Sequence, residues 1–310
     1  PFHRAASAPM NTQEKRVIPM TTAAPQLLVP DEDGVLSPVT GLVIQTNDEY
    51  HAGPGISKSH LDTINGRSAR HYWHKYLNPN RVPKPPSDEM IFGSAVHVAV
   101  LEPDLLSQEV VESPGFNRRT KAGKAEWEAF CEEHKGKIVL DPDDFARVLG
   151  VRDAVYADPL ASSLLCAPGA AEQSFYATDP ETGELVKCRT DYMLADGSAI
   201  LDLKTTKDAS PDGFGKSCAN FRYPVQTAWY HRVLDLAFGE HPPGWAFLAV
   251  ESEPPYVVGV YFPTPAQIVL AAEAARRDYM RIIAAKRSGQ FPGYTPTDPL
   301  PISLPGWVKF

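Results

Sequence analysis

The feature that most constrains this chain is a pair of strand-like stretches, 185–194 and 198–205, joined by Ala195-Asp-Gly-Ser198. Asp-Gly between apolar runs is a strong hairpin signal, because the central residues of such a turn need positive φ. Strands joined this way lie side by side, so the side chains they carry are brought together. Here they carry charge: Asp191 on the first strand, beyond Lys187 and Arg189, and Asp202 and Lys204 on the otherwise apolar second strand. Residues 202 and 204 of a strand point to one face, and Leu201 and Leu203 to the other. The hairpin can therefore set two carboxylates beside an ammonium, the makings of a site for a hard divalent cation with a lysine next to its water. For a D-x-K tripeptide alone, a surface Asp–Lys pair on an edge strand is the competing reading.

The rest of the chain alternates between helical and strand periods. Helices are expected over 57–77 with Ser57 as N-cap, 88–101 with small residues and a stop at Pro103, 121–134, 142–156, 224–238 and 265–287. Strands are expected over 171–177, 245–250 and 256–262, with a turn at 179–183. The fold class that follows is α/β or α+β, a central mixed β-sheet flanked by helices. Residues 1–45, rich in Pro, Thr and Ala, are expected to be an extended arm, vector-derived residues at its start included, and 46–310 a single domain.

Composition excludes several classes. The 310 residues are 43% hydrophobic and 22% charged, which is neither collagen-like nor disordered. No run approaches the roughly 20 apolar residues of a membrane helix, and no secretory signal opens the chain. Four widely spaced cysteines without a C-x-x-C read as reduced thiols, so a soluble cytoplasmic protein with no membrane partner is expected. The net charge of −8 argues at first against a nucleic-acid partner. It is unevenly spread, however. Lys58, Arg67, Arg70, Lys75, Arg81 and Lys84 share one stretch with a single acid, Asp62, and Arg118, Arg119, Lys121 and Lys124 form a second basic knot. Basic patches on an acidic protein suit a partner held in a channel; a solvated helix face is the alternative.

Asp191 followed by Asp202-x-Lys204 resembles the PD-(D/E)xK nuclease superfamily, with a restriction-endonuclease-like core. Beyond that core the chain resembles the exonuclease VIII (RecE-type) family of prophage recombination nucleases. The likeness rests on six ordered segments: Tyr50-His-Ala-Gly-Pro-Gly-Ile-Ser-Lys-Ser59, Gly93-Ser-Ala-Val-His97-Val-Ala-Val-Leu-Glu102-Pro103, Phe116-Asn-Arg-Arg-Thr-Lys-Ala-Gly-Lys124, Asp179-Pro-Glu-Thr-Gly183, Asp202-Leu-Lys-Thr-Thr206 and Tyr223-Pro-Val-Gln226-Thr-Ala-Trp-Tyr230. They run in the family's order from residue 50 to about 308. Thr190 stands where the superfamily pattern has proline.

The resemblance implies a role for each matching position. His97 matches a metal-ligating histidine, although a lone histidine on an apolar helix is ordinarily a core residue. Asp191 and Asp202 match the metal carboxylates, the Leu203 carbonyl completes the shell, and Glu172 matches an acid near a second metal. Lys204 matches the lysine that orients or deprotonates the attacking water. Gln226 and Tyr230, four apart on one helix face, match an element that supports the site and the DNA strand. Ser57, Ser59, Arg118, Arg119 and Arg189 are candidates for phosphate contact. The implied activity is a Mg²⁺-dependent 5′-to-3′ exonuclease, with Mn²⁺ able to substitute, that acts on linear double-stranded DNA and leaves 3′ overhangs for recombination. The implied assembly is a trimeric or tetrameric ring working with a single-strand annealing protein. Another PD-(D/E)xK activity (an endonuclease or a single-strand-specific nuclease) and a non-catalytic DNA-binding scaffold are the alternatives.

Overall fold

The expected hairpin lies at the middle of a six-stranded sheet. The computed structural model describes residues 40–295, 297–304 and 306. The chain enters through an edge strand, β1 (Gly41–Val43), and three short helices, α1 (Asn47–Ala52), α2 (Lys58–Gly66) and α3 (Ala69–Tyr76). Helix α4 (Asp88–Leu101) leads through a 3-10 turn, Pro103–Leu105, into α5 (Leu106–Glu109). Strand β2 (Val110–Glu112), α6 (Lys121–Glu133) and β3 (Ile138–Leu140) form a small parallel unit, followed by α7 (Pro142–Ala157) and α8 (Pro159–Leu165). The main strands are β4 (Gly169–Thr178), β5 (Leu185–Leu194) and β6 (Ala199–Thr206). After them come α9 (Pro211–Phe221), α10 (Tyr223–Phe238), β7 (Gly244–Glu251), β8 (Val258–Tyr261) and α11 (Pro265–Ser288).

The sheet order is β1-β4-β5-β6-β7-β8. Every neighbouring pair is antiparallel except β6 and β7, which run parallel because α9 and α10 form the crossover between them. Both faces are covered. Ile200, Met193 and Phe247 pack against Val225, Ala228 and Trp229 of α10 and Tyr279 and Ile282 of α11. Leu201, Leu203 and Leu248 pack on the opposite face against Ala95, Val96 and Ala99 of α4 and Val148 and Val151 of α7. Strand β6 is thus apolar on both sides up to Leu203 except at Asp202, and Lys204 follows. The architecture is the mixed α+β arrangement expected from the sequence, a central sheet between helical layers.

Two boundaries differ from expectation. The helix expected over 57–77 is two helices, because Gly66 ends α2 and Ser68, whose Oγ lies 2.8 Å from His71 Nδ1, starts α3. The expected arm over 1–45 lies largely outside the described residues, but its end is part of the sheet: Gly41–Val43 pair with Tyr176, Phe175 and Ser174 of β4. Among the described residues no single helix is long and apolar enough to cross a membrane.

Candidate active site

The site forms where two strands part. Strands β5 and β6 pair at Tyr192↔Leu201 and Met193↔Ile200, and the ladder stops there. Continuing that register would set Asp191 opposite Asp202. Instead the freed backbone N–H of Leu203 donates to Asp191 Oδ2 at 2.8 Å. Helix α4 reaches the same gap from one face and brings His97, whose Nε2 lies 3.2 Å from the Leu203 carbonyl oxygen and 3.8 Å from Asp191 Oδ2. Helix α10 reaches it from the other face, where Gln226 Nε2 donates to Asp202 Oδ2.

Glu172 completes the cluster through an unusual backbone. Its φ is +51°, in the left-handed region that costs a residue with a Cβ about 1–2 kcal/mol. Strand β4 turns over around it: Ala171 packs with the core on the α4 side, whereas Phe175, of the same parity, packs with the core on the α10 side. Glu172 Oε1 then lies 3.4 Å from His97 Nδ1. Its other oxygen accepts from Arg189 Nε at 2.8 Å. Ligand atoms of His97, Glu172 and Asp191 all lie within 4.8 Å of one another.

Electrostatics follow from this crowding. Burial pushes the Asp191 carboxyl up, and the like charge of Asp202 pushes it further. Burial opposes protonation of His97, but Asp191 and Glu172 outweigh it and lift the imidazole to about 9. Burial would likewise raise Glu172, yet its bonds to His97 and Arg189 leave it below the usual carboxylate range. Lys204 is desolvated, but its contact with Asp202 and the nearby Asp191 hold its pKa above that of a free lysine. An imidazole nitrogen, two carboxylates and a backbone carbonyl are donors suited to Mg²⁺ or Mn²⁺. The residues fit a divalent cation, and His97, Glu172, Asp191 and the Leu203 carbonyl are those that would hold it.

The remaining predicted residues fall into place unevenly. Asp202, expected as an equal partner of Asp191, is fully buried and turned to Lys204 and Gln226. Gln226 is therefore bonded to a carboxylate of the cluster. Tyr230 shares its helix face and is half-buried with its ring edge-on to Trp245, 5.6 Å away. Ser57 is the N-terminal residue flanking α2; its Oγ lies 3.0 Å from Ser59 Oγ and 2.9 Å from His60 Nδ1. Two of the arginines proposed as phosphate contacts are engaged within the fold. Arg118 pairs with Asp141 at 3.2 Å and stacks over Trp127 at 4.6 Å. Arg189 is spent on Glu172, on Ser174 Oγ at 2.6 Å and on the Gln45 carbonyl at 3.2 Å. Arg119 remains exposed.

Two residues absent from the sequence-derived set also line the site. The Tyr223 ring carries Lys204 Nζ 5.2 Å from its centroid and Lys58 Nζ at 6.0 Å. The signal for Tyr223 was its position three residues before Gln226, on the same helix face. Lys58 stood out as one charge in a basic stretch and as a member of the segment ending at Ser59, with no role given to it.

A sheet whose central strands splay around two acids and a lysine, with a histidine and a glutamine supplied from opposite helical layers, defines a PD-(D/E)xK nuclease-type domain. Residues 58–297 match the family described as a PDDEXK-like domain of unknown function (DUF3799), and the chain belongs to that family. Among solved structures it is similar to a provisionally assigned exonuclease from Eubacterium rectale, at 16% identity over 84% of this chain and 97% of that one, with a TM-score of 0.60. That likeness speaks for the fold. A second structure, SSO0001, covers 62% of this chain and 85% of that one at 12% identity and a TM-score of 0.26, too low to argue from. No curated protein matches the chain.

Proposed function

We propose that this protein is a Mg²⁺-dependent exonuclease that degrades one strand of linear double-stranded DNA from the 5′ end and leaves 3′ overhangs for recombination. The observation that carries the nuclease reading is the convergence of His97, Glu172, Asp191 and the Leu203 carbonyl within reach of the Asp202–Lys204 pair. A divalent cation held there supplies Lewis-acid polarisation of a phosphodiester and acidifies water beside it. The chain's own groups do the rest. Asp191 is oriented by the Leu203 N–H, and Glu172 is oriented by Arg189, so the acids need no reorganisation when substrate arrives. Lys204, held protonated by Asp202, is an ammonium. Its role is to donate to the attacking water or a phosphate oxygen and to stabilise charge as it develops, since a lysine so charged is no base. Gln226 keeps Asp202 turned to that ammonium.

The end preference, the 5′-to-3′ direction, the ring assembly, the annealing partner and the cytoplasmic location are proposed from the likeness to the exonuclease VIII family. The test is linear duplex DNA labelled separately at its 5′ and 3′ ends, incubated with Mg²⁺ and then with EDTA, beside a covalently closed circle. Early release of the 5′ label alone, blocked by EDTA, with the circle intact, is the expected result. Internal cuts or first release of the 3′ label would overturn the polarity while keeping the metal site. No hydrolysis of any DNA would overturn the nuclease reading.

A further inference from the structure

Phe221 closes α9 beside the site, and its side chain is 60% exposed. One face of its ring lies near-parallel to Tyr223, with centroids 5.8 Å apart and 23° between planes. Tyr223 is the residue whose ring carries the Lys204 and Lys58 ammoniums. Lys58 Nζ also donates to the Phe221 carbonyl at 2.7 Å, so the backbone at this corner is pinned to the N-terminus of α2. A single aromatic ring thus separates the exposed Phe221 from the lysine paired with Asp202. Phe262 and Tyr294 are also exposed aromatics, but Phe221 alone of these three stacks on a ring that carries a site lysine.

The surroundings select the occupant. Lys58, Lys204 and Arg222 gather here, each paired with one or two of the three acids Asp62, Asp202 and Asp278. Lys58 and Lys204 beside the acids of the site are donors a phosphate can meet, and an open aromatic face at their edge suits the flat π-system attached to that phosphate. From this we infer that Phe221, backed by Tyr223, is a stacking platform for a nucleobase of the strand whose phosphate occupies the site. The inference rests on the proposed nuclease function and deepens it, because it names a residue that contacts the substrate base. Stacking tolerates any base, so the platform serves degradation without sequence preference.

The experiment uses the full chain and linear duplexes carrying 2-aminopurine at the first or second nucleotide of the 5′ strand, with Ca²⁺ for binding and Mg²⁺ for turnover. Phe221→Ala, Phe221→Leu and Phe221→Trp are compared with the wild type. Loss of the stacking face in the Ala and Leu variants is expected to raise KM by about 5- to 100-fold and to abolish the fluorescence change on binding. The single-turnover rate at saturation stays within about threefold, and Trp retains both signals. A Leu variant indistinguishable from Trp would overturn the inference, because bulk alone would then suffice. An Ala variant with unchanged KM and fluorescence overturns it too, and an altered oligomeric state in that variant would assign the ring to a protein interface instead. If wild-type protein releases nucleotides from no DNA, the nuclease reading itself falls and the inference falls with it.

Discussion

Asp191 Oδ2 accepts the backbone N–H of Leu203 at 2.8 Å, so a carboxylate stands where the next bond of the β5–β6 ladder would be. This exchange has two consequences. It satisfies a buried donor that the parting of the strands would otherwise orphan. It also leaves the Leu203 carbonyl facing His97 at 3.2 Å, so one residue of backbone serves the acid with its donor and the cluster with its acceptor.

Substitution of Asp191 separates these two tasks. Asn keeps an oxygen for the Leu203 N–H but carries no charge. The ionised carboxyl is already disfavoured by burial and by Asp202. Asp191→Asn is therefore expected to unfold at or above the wild-type temperature while DNA cleavage falls by about 10²–10³-fold or more. Asp191→Ala is expected to lose the same activity and, in addition, about 1–3 kcal/mol of stability for the orphaned N–H. Equal melting temperatures for the two variants would contradict the bonding role.

Lys204 and Asp202 form a buried pair, and breaking it from one side is costly. Lys204→Ala leaves the fully buried Asp202 with Gln226 and no cation, an expected loss of about 3–5 kcal/mol. Lys204→Ala combined with Asp202→Asn is expected to recover most of that stability and none of the activity. Calorimetric titration with Mn²⁺ supplies the second readout. Lys204→Ala should lose turnover far more than metal affinity, and parallel loss of both would count against its role beside the phosphate.

Local patterns in the sequence were enough for much of this fold and less of its site. The alternation in 185–194 and the Asp-Gly turn made the central hairpin readable, and the small-residue run closed by Pro103 gave α4 its bounds, 88 and 101. Strand β1 escaped because three residues carry no period, and α9 because Gly213 and Gly215 dilute its helical signal. The residues that cluster here could be named from the sequence, but how they pair with one another could not. Nothing in the spacing of Asp191 and Asp202 says that the strands part between them, which sends one acid to His97 and the other to Lys204. Arg189 looked like a free fork for phosphate because its partners, Glu172, Ser174 and Gln45, come from β4 and from the loop after β1.

That position makes Arg189 a positioning residue that acts through Glu172. Outer-shell partners of metal ligands typically cost 10–100-fold in metal affinity when removed. Arg189→Gln is expected to weaken Mn²⁺ binding by about that factor, and Arg189→Lys, which keeps the charge, to restore part of it. Ser174→Ala, which frees one bond to the Arg189 guanidinium, should show a smaller loss in a protein that is otherwise stable. Unchanged Mn²⁺ affinity in a folded Arg189→Gln variant would show that Glu172 holds its left-handed conformation unaided.

Away from the site, His231 ties stability to pH. It is 7% exposed, its Nε2 has no hydrogen-bond partner, and its ring stacks on His241 at 4.0 Å and meets Trp245 edge-on. Burial, and then the neighbouring His241, which itself pairs with Asp235, push His231 down to about 3. Folded protein therefore keeps it neutral while the unfolded chain protonates it below its ordinary value of about 6.5. Its contribution is fully present above that value and is lost as pH falls toward 3. His60, held down to about 3 chiefly by burial, adds a second proton uptake of the same sign, because its Nδ1 accepts the Ser57 N–H. Between pH 6.5 and 5 each group is expected to remove about 1.5 kcal/mol of stability. His231→Phe keeps a ring against Trp245 and cannot titrate. Urea midpoints at the two pH values should therefore fall less for this variant than for wild type, by about that amount, and identical falls would show that His231 is protonated in the folded protein.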